Sequence, residues 1–286
     1  MKVVHHCPIQ SKEVTNDLRL ITFLNTKTSG KTALLSNFAI TLARKTNESV
    51  ALVDLNIFTP ELAHYFNLID EQKRVYPISL DEIFRYLLGG EEFDIKTVVT
   101  TFKTTSSLSL ICGPGDMRVE FSRLQETQWQ YLVRKLSSFD YVLVDTPRYQ
   151  DSSLFRVLLK ESGNLILVQD QDLFGAYHSA HLISSLPSEI KEKVEFWLSR
   201  YEENSLIKPK QIEEIIDLNA KYLIPGIPRS RYIQCLLKEK PFGQDVIPGY
   251  TDKLMQIADE LLGIEAEKKE GRSWKFWTWK RKSITT

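Results

Sequence analysis

The chain has 286 residues, of which 42% are hydrophobic and 26% charged, a composition typical of a globular protein with a sizeable core. Its 37 basic residues balance 37 acidic ones, which argues against an attraction of the whole protein to nucleic acid. The 3 cysteines are far apart in the chain, so the sequence predicts neither a disulfide framework nor a paired-cysteine metal site, and a reducing compartment fits best.

The N-terminal residues contain no apolar stretch long enough for a signal peptide. No uninterrupted apolar run approaches the roughly 20 residues that a membrane-spanning helix needs. We therefore expect a cytoplasmic protein whose contact with a membrane, if it has one, is peripheral and at the inner face.

Short apolar segments rich in β-branched residues alternate with helical patterns, which is typical of a parallel sheet with crossover helices. Strands are predicted at residues 18–24, 50–55, 108–112, 141–145, 165–168 and 194–198. Helices are predicted at residues 31–46, 80–88, 124–136, 210–218 and 251–262. In the first helix Leu34, Phe38 and Leu42 recur every fourth residue, as a single buried face requires. The pattern predicts one α/β domain with a mostly parallel sheet and helices on both faces.

The composition changes abruptly after Gly263, where a charged segment leads into residues rich in tryptophan, lysine and arginine. We therefore predict three parts: an N-terminal arm at residues 1–16, the α/β domain at residues 17–263, and a linker and tail at residues 264–286.

A glycine-containing polar loop separates the first predicted strand from the first predicted helix and reads NTKTSGKT. In this setting backbone N–H groups and the helix dipole favour a phosphate, and an S-G-K-T ending is typical of a P-loop. The lysine is expected to reach the β- and γ-phosphates, and the last threonine to bind Mg²⁺. The same letters on a surface loop mark a turn and a helix cap, so the strand–loop–helix context carries the prediction. The candidate residues are Asn25, Thr26, Lys27, Thr28, Ser29, Gly30, Lys31 and Thr32.

Two aspartates end predicted strands. Asp54 closes the segment VALVD and Asp145 closes YVLVD. The carboxyl ends of parallel strands meet at one edge of a sheet, where ligands bind in open α/β folds. A carboxylate at the end of an apolar strand is costly to bury unless it is paired or near a metal. Asp145 is therefore the expected second metal-site residue, holding the water shell of Mg²⁺, although a solvated strand-end aspartate has the same pattern.

The sequence resembles the MinD/ParA family of deviant-Walker P-loop ATPases. The resemblance is carried by segments in the same order as in the family: NTKTSGKT, VALVDLN, FDYVLVDTP, and PGIPRSR with LLKEKPFG. The likeness spans about residues 18–263, and SLDEIFRYLLGG followed by LSLICGPGD is similar to an insert of the CpaE/TadZ-like pilus-localisation branch. The resemblance implies a P-loop NTPase domain that uses ATP and Mg²⁺ and forms a homodimer in the ATP state. It implies catalytic roles for four residues: Lys31, Asp54, Asn56 and Asp145. It implies nucleotide contacts for three more: Ser199, Arg200 and Pro228.

Several positions depart from the family pattern. Thr26 stands where the family has a lysine that reaches across the dimer, and Lys27 is displaced from that position by one residue. Thr28 replaces a glycine, and Ser199 replaces an asparagine near adenine. Asn56 replaces the second acid of a D-x-D pair, and an amide can hydrogen-bond a water but cannot accept its proton. The departures predict a nucleotide-binding protein with slow or absent hydrolysis.

The tail combines aromatic and basic side chains, and its aromatic residues are Trp274, Phe276, Trp277 and Trp279. Tryptophan prefers the membrane–water interface, and each juxtamembrane basic residue contributes about 1 kcal/mol at an anionic surface. The same side chains could pack on the domain or dock on a protein partner, and both alternatives stay open. Stacking on nucleic acid is less favoured.

Two functional hypotheses follow. The first is an ATP-dependent switch with weak hydrolysis that positions a membrane-associated machine such as a pilus, secretion or division apparatus. The second is a catalytically inactive nucleotide-binding scaffold that acts through protein partners. A tyrosine kinase of the same fold is disfavoured because the tail offers tryptophan instead of tyrosine, and an iron–sulfur reductase because the cysteines are scattered.

Overall fold

The computed structural model describes residues 19–66, 68, 79–101, 107–115, 123–228, 230 and 247–264. The predicted N-terminal arm and the Trp-rich tail lie outside these ranges. The strands are β1 (Arg19–Leu24), β2 (Val50–Asp54), β3 (Thr100–Thr101), β4 (Leu108–Ile111), β5 (Tyr141–Asp145), β6 (Asn164–Gln169), β7 (Val194–Tyr201) and β8 (Ala220–Pro225). The helices are α1 (Lys31–Lys45), α2 (Leu62–Tyr65), α3 (Leu80–Gly89), α4 (Glu126–Leu136), α5 (Ser153–Glu161), α6 (Leu173–Ser185), α7 (Ser188–Lys191), α8 (Pro209–Ile216) and α9 (Tyr250–Leu261), with a 3₁₀ turn at Ile95–Thr97.

The described strands form one sheet in the order β3-β4-β2-β5-β1-β6-β7-β8. All neighbouring pairs are parallel except β3 with β4, so only the short edge strand runs in the opposite direction. The central position of β5, between β2 and β1, brings the ends of these three strands side by side. This confirms the predicted mostly parallel sheet.

Both faces of the sheet are covered, as the apolar runs in the strands require. In β2 every residue is buried, with Val50 and Leu52 in one hydrophobic cluster and Ala51 and Val53 in another. This alternation follows from the two-residue repeat of a strand. Helices α1 and α9 pack together on one face, while α4 pairs with α5 and α6 with α8 on the other.

The predicted elements are all observed, apart from shifts of one to three residues at their ends, and the structure adds α2, α5, α6, α7, β3 and β8 to them. Helix α5 was not predicted, although Leu154, Val157 and Leu158 have helical spacing and all face the core. Strand β8 was not predicted either. It is an edge strand with polar and half-buried positions, including the exposed Lys221, so its sequence lacks the apolar run of the inner strands.

Within the described ranges no helix combines the length and the apolar character that crossing a membrane requires. The longest helix there, α1, has 15 residues, against the roughly 20 that a bilayer needs.

An aromatic cluster joins α1 to the sheet. The indole of Trp197 on β7 meets Phe23 on β1, Phe38 on α1 and Tyr222 on β8 edge-to-face, with centroid distances of 5.5, 5.6 and 5.2 Å. Edge-to-face packing adds to the hydrophobic gain from burying rings of this size. The cluster therefore holds the helix that follows the P-loop against three strands.

We expect Phe38→Ala to lower the free energy of unfolding by about 3–5 kcal/mol, because it removes a buried ring and leaves a cavity. The measurement is urea unfolding followed by circular dichroism. The matched control is Phe58→Ala, since Phe58 is 53% exposed and its loss is expected to change stability by no more than about 0.5 kcal/mol. Equal effects of the two substitutions would contradict the packing described here.

Candidate functional site

The loop between β1 and α1 has the backbone geometry of an anion site. Gly30 is the residue before α1 and has a left-handed conformation, with φ 73°. A side chain here is disfavoured by that φ, and a Cβ would lie 2.8 Å from Nε of Arg200, so the Arg200 side chain would have to shift. Since the cap residue is glycine, no cap side chain competes for the N–H groups of the first helical turn. These N–H groups stay available to a phosphate.

Lys31 and Thr32 both contact Asp145 below this loop. The ammonium of Lys31 pairs with Oδ1 of Asp145, and the hydroxyl of Thr32 donates to Oδ2 at 2.8 Å. Lys31 also donates to the carbonyl oxygen of Thr146 at 2.7 Å. The ion pair is buried, with side-chain exposures of 3% for Lys31 and 0% for Asp145. The predicted lysine, threonine and strand-end aspartate thus form one connected group.

Asp54 lies beside Asp145, its register partner in the parallel β2–β5 pair. Its carboxylate accepts hydrogen bonds from the backbone N–H groups of Asn56 at 3.0 Å and of Glu61 and Leu62 at 3.2 Å. Burial, reinforced by the negative charge of Asp145, raises the pKa of Asp54 to about 8, against the opposing effect of the Leu62 and Asn56 N–H donors and of Lys31. Asp54 therefore anchors the loop after β2 through these hydrogen bonds. Its site disfavours a second negative charge beside that of Asp145.

A polar cavity of about 360 Å³ opens above this group at the carboxyl edge of the sheet. Ser29 is buried at its wall, and its hydroxyl has no hydrogen-bond partner among the described residues. Three cationic side chains face the cavity and make it suitable for an anion. The lining residues are Asn25, Thr28, Ser29, Gly30, Lys31, Thr32, Ala33, Asn56, Thr59, Glu61, Tyr65, Thr146, Arg148 and Arg200.

A second cavity of about 430 Å³ adjoins the first and shares Ser29, Gly30, Ala33 and Arg200 with it. Its other walls come from the ends of β7 and β8, and they are mainly apolar. The hydroxyl of Ser199 donates to the carbonyl oxygen of Ser29 at 2.7 Å and ties β7 to the P-loop. The remaining lining residues are Leu34, Ser199, Glu202, Ile224, Pro225, Gly226, Ile227 and Tyr250. The two cavities together match the polar and apolar halves of a nucleotide.

Three of the predicted nucleotide contacts lie outside both cavities. The ammonium of Lys27 contacts Oδ2 of Asp172 at 2.6 Å, and the hydroxyl of Thr26 contacts that of Ser179 at 3.1 Å. Pro228 is exposed. In this structure Lys27 is thus held by α6 and its cap instead of by the P-loop cavity.

Some lining residues were not among the candidate site residues named from the sequence. Arg148 follows β5 and donates to the hydroxyl of Thr28 at 2.8 Å. Glu61 begins α2 and reaches the cavity from the loop after β2. The segment VDTPR offered a weak signal for Arg148, because it continues the strand that ends in Asp145. No local pattern pointed to Glu61.

The donor set fits a magnesium site completed by phosphate oxygens. In the described part of the chain no three His, Cys, Asp or Glu side chains cluster as a metal site. Mg²⁺ keeps several waters and is usually bound by one or two protein oxygens together with substrate phosphates. The Thr32 hydroxyl would supply one such oxygen, and the Asp145 carboxylate, 2.8 Å from it, would hold a water of the ion.

No protein-family model and no curated protein matches the sequence. Among solved structures, a ParA family ATPase from Chlorobium tepidum has 20% sequence identity and a TM-score of 0.73, covering 86% of this chain and 100% of that one. MinD in a MinC:MinD cell division complex from Aquifex aeolicus has 19% identity and a TM-score of 0.69, covering 90% and 99%. MinD from Pyrococcus horikoshii, complexed with Mg-ADP, has 18% identity and a TM-score of 0.65, covering 87% and 99%.

These likenesses show the class of fold that the chain adopts. It is the ParA/MinD P-loop NTPase fold, a single α/β domain with a mostly parallel sheet between helices. The closer assignment to the CpaE/TadZ-like branch stays a prediction.

We expect Asp54 to make stability depend on pH. With its pKa raised in the folded state, folding binds a proton, so the free energy of unfolding falls as pH rises from the ordinary aspartate range through about 8. The slope from this single group is on the order of 1 kcal/mol per pH unit. Urea unfolding at intervals from pH 5 to 8 measures it.

Asp54→Asn is the comparison for this slope. The amide nitrogen cannot accept the backbone hydrogen bonds, so the variant is expected to be less stable throughout, but with a flatter dependence on pH. A slope equal to that of the unaltered protein would show that Asp54 is ionised in the folded state at pH 5.

Proposed function

We propose that this chain binds ATP with Mg²⁺ and acts as a ParA/MinD-type switch with weak ATP hydrolysis. One observation carries the proposal: Lys31, Thr32 and Asp145 are joined at the floor of a cavity formed by a P-loop at the carboxyl edge of a parallel sheet. That edge is where open α/β sheets bind ligands. The Mg-ADP complex of the structurally similar Pyrococcus horikoshii MinD supports the choice of ligand.

The residues of the site have distinct roles in this proposal. The backbone of the P-loop and the N-terminus of α1 bind the phosphates, and Lys31 neutralises their charge. Thr32 and Asp145 hold Mg²⁺, which would offset the charge that develops on the phosphates during hydrolysis. Ser199 and the ends of β7 and β8 form the wall for the base.

The loop after β5 is suited to sense the phosphates. Three hydrogen bonds join it to the P-loop and α1. Lys31 donates to the carbonyl oxygen of Thr146, and Arg148 donates to the hydroxyl of Thr28. The N–H of Tyr149 donates to the carbonyl oxygen of Asn25 at 2.9 Å. A triphosphate competes with Asp145 and Thr146 for the ammonium of Lys31. Binding is therefore expected to change this loop, which is a common way to couple a γ-phosphate to a surface.

Weak hydrolysis is supported by two side chains. Asn56 supplies an amide where the resembled family has an acid, and it cannot take a proton from water. Lys27 is paired with Asp172 outside the cavity, so no lysine of the loop other than Lys31 lines the polar cavity. Both features remove charge from the γ-phosphate end of the site.

The cellular role that we propose is the positioning of a membrane-associated machine, such as a pilus, secretion or division apparatus, by an ATP-dependent homodimer. It rests on the family resemblance and on the fold shared with ParA and MinD proteins. The MinC:MinD complex shows a protein of this fold bound to a protein partner. The tail at residues 264–286 is the proposed contact with an anionic membrane at the inner face.

A catalytically inactive scaffold is the second candidate, and the position of Asn56 favours it. The side-chain amide of Asn56 donates to the carbonyl oxygen of Thr59 at 2.8 Å. The Thr59 hydroxyl donates in turn to Oδ1 of Asn56 at 3.2 Å. Both ends of the amide are thus engaged within their own loop. On this hypothesis ATP binding organises a partner surface without turnover.

We expect the protein to bind MgATP in titration calorimetry and Lys31→Met to weaken binding at least tenfold, because the phosphates lose their buried cation. Lys45→Met is the matched control: Lys45 lies at the other end of α1, paired with Asp259, far from the cavity. Since Lys31→Met leaves Asp145 buried without its cation, it is expected to cost about 3–5 kcal/mol of stability, and its folded state is checked by circular dichroism.

A phosphate-release assay on the same samples separates the two candidates. Turnover that disappears in Lys31→Met supports the ATPase, and tight MgATP binding without turnover supports the scaffold. Absence of heat with every adenine and guanine nucleotide would contradict both.

For the tail, we expect the full chain to sediment with vesicles that contain anionic lipid and not with neutral vesicles. Removal of residues 272–286 is expected to abolish sedimentation, because it deletes the aromatic and basic side chains together. Undiminished sedimentation of the truncated chain would assign membrane contact to another part of the protein.

A further inference from the structure

Asn56 stands where the family that this sequence resembles has a carboxylate. The chain has another carboxylate nearby, that of Glu61. Position 56 is an asparagine whose amide is engaged with Thr59. Five residues later, Glu61 lines the same cavity as Lys31 and Thr32. The inference below rests on the proposed function, since it concerns what happens to a bound triphosphate.

Glu61 is held in place by its backbone, which leaves its side chain available. Its N–H donates to Oδ2 of Asp54 at 3.2 Å, and the next N–H, of Leu62, donates to the same oxygen at 3.2 Å. The Glu61 carboxylate has no hydrogen bond or ion pair among the described residues, and it is solvent-accessible. A water molecule can therefore approach it.

The sheet order places Glu61 across the cavity from the P-loop. Strand β5 lies between β1, which leads into the P-loop, and β2, which leads into the loop of Glu61. With neighbouring strands about 4.8 Å apart, the two loops start about 10 Å from each other, with Asp145 and Thr146 between them. Phosphates on the P-loop would thus be approached from the side of Glu61.

The electrostatics of Glu61 suit proton transfer. Although its side chain is exposed, partial desolvation raises its pKa above the usual value, and the negative charge of Asp145 acts in the same direction, while Lys31 and His64 oppose it. A base with a pKa closer to neutral accepts a proton from water more readily than an ordinary glutamate.

We propose that Glu61 is the catalytic base for ATP hydrolysis in this protein and performs the task for which Asn56 is unsuited. The oxygen of a water molecule forms a bond to the γ-phosphorus while the bond from that phosphorus to the β–γ bridging oxygen breaks, leaving ADP. The water proton moves to the carboxylate of Glu61, which afterwards releases it to solvent or to the departing phosphate. Lys31 and the P-loop N–H groups stabilise the charge on the phosphate oxygens.

Glu61→Gln tests this role, because it keeps the size of the side chain and removes its basicity. We expect turnover of MgATP to fall at least tenfold. General-base catalysis typically contributes about 10²–10⁴-fold to the rate. The dissociation constant for MgATP is expected to stay within about threefold of that of the unaltered protein. Glu189→Gln, an exposed glutamate on α7, is the matched control and should leave both quantities unchanged.

A binding measurement provides a readout independent of turnover. A base that acts on the attacking water contributes to the affinity for a transition-state analogue but not to the affinity for the product nucleotide. Glu61→Gln is therefore expected to weaken binding of MgADP with aluminium fluoride at least tenfold and to leave binding of MgADP alone unchanged. Adding Asn56→Asp to Glu61→Gln is expected to restore part of the turnover, because it returns a carboxylate to the same loop. An unchanged melting temperature of each variant checks that the substitutions leave the stability of the fold unaltered.

The outcomes separate this proposal from the proposed function. If the unaltered protein fails to bind MgATP, the proposed function fails and Glu61 has no such role. If it binds MgATP and hydrolyses it, but Glu61→Gln hydrolyses it equally fast, only the role of Glu61 is overturned. If it binds MgATP without any turnover, the role of Glu61 is again overturned and the scaffold is supported.

Discussion

The buried pair of Lys31 and Asp145 is the interaction on which the rest of the site depends. Taking two charges out of water costs several kcal/mol per ion, which their attraction offsets only with good geometry and further hydrogen bonds. Here Thr32 donates to the aspartate and the carbonyl oxygen of Thr146 accepts from the lysine. These contacts require β5 to lie next to β1 and α1 to begin directly below the loop. A ligand with more negative charge than one carboxylate can compete for the lysine, so the pair is a structural anchor that a triphosphate is able to rearrange.

Asp54 adds a constraint of the opposite kind. It lies in register with Asp145, and one lysine cannot compensate for two buried carboxylates. Its hydrogen bonds to three backbone N–H groups nevertheless hold the loop after β2 against the sheet edge. The carboxyl group of Asp54 is thus better suited to shaping this loop than to carrying charge at the phosphates. Negative charge on this side of the cavity then comes from the loop after β2, whose Glu61 lines the cavity.

How much of this was predictable depends on the separation in sequence of the residues involved. The P-loop follows from adjacent residues, since a strand, a glycine with a lysine and threonine after it, and an amphipathic helix are all local patterns. The strand-end aspartates follow from the topology of parallel strands, which bring Asp54 and Asp145 to one edge. The pairing of Lys27 with Asp172 and the position of Glu61 do not follow. They depend on side chains and loop conformations that only the packed structure determines, and an exposed polar residue carries no periodic signal.

The same long-range contacts connect the nucleotide site to the outer surface. Thr26 and Lys27 contact Ser179 and Asp172, on α6 and at its cap, so these two residues of the P-loop are bonded to a helix and do not line the cavity. That helix exposes Phe174 and Tyr177, with 74% and 62% of their surfaces accessible. The second half of the loop contains Lys31 and Thr32, the residues proposed to bind the phosphates and Mg²⁺. Since one short loop carries both groups of residues, a backbone change on binding of the proposed triphosphate would act on the hydrogen bonds between the loop and α6. The loop thus joins the candidate anion site to the exposed face of α6.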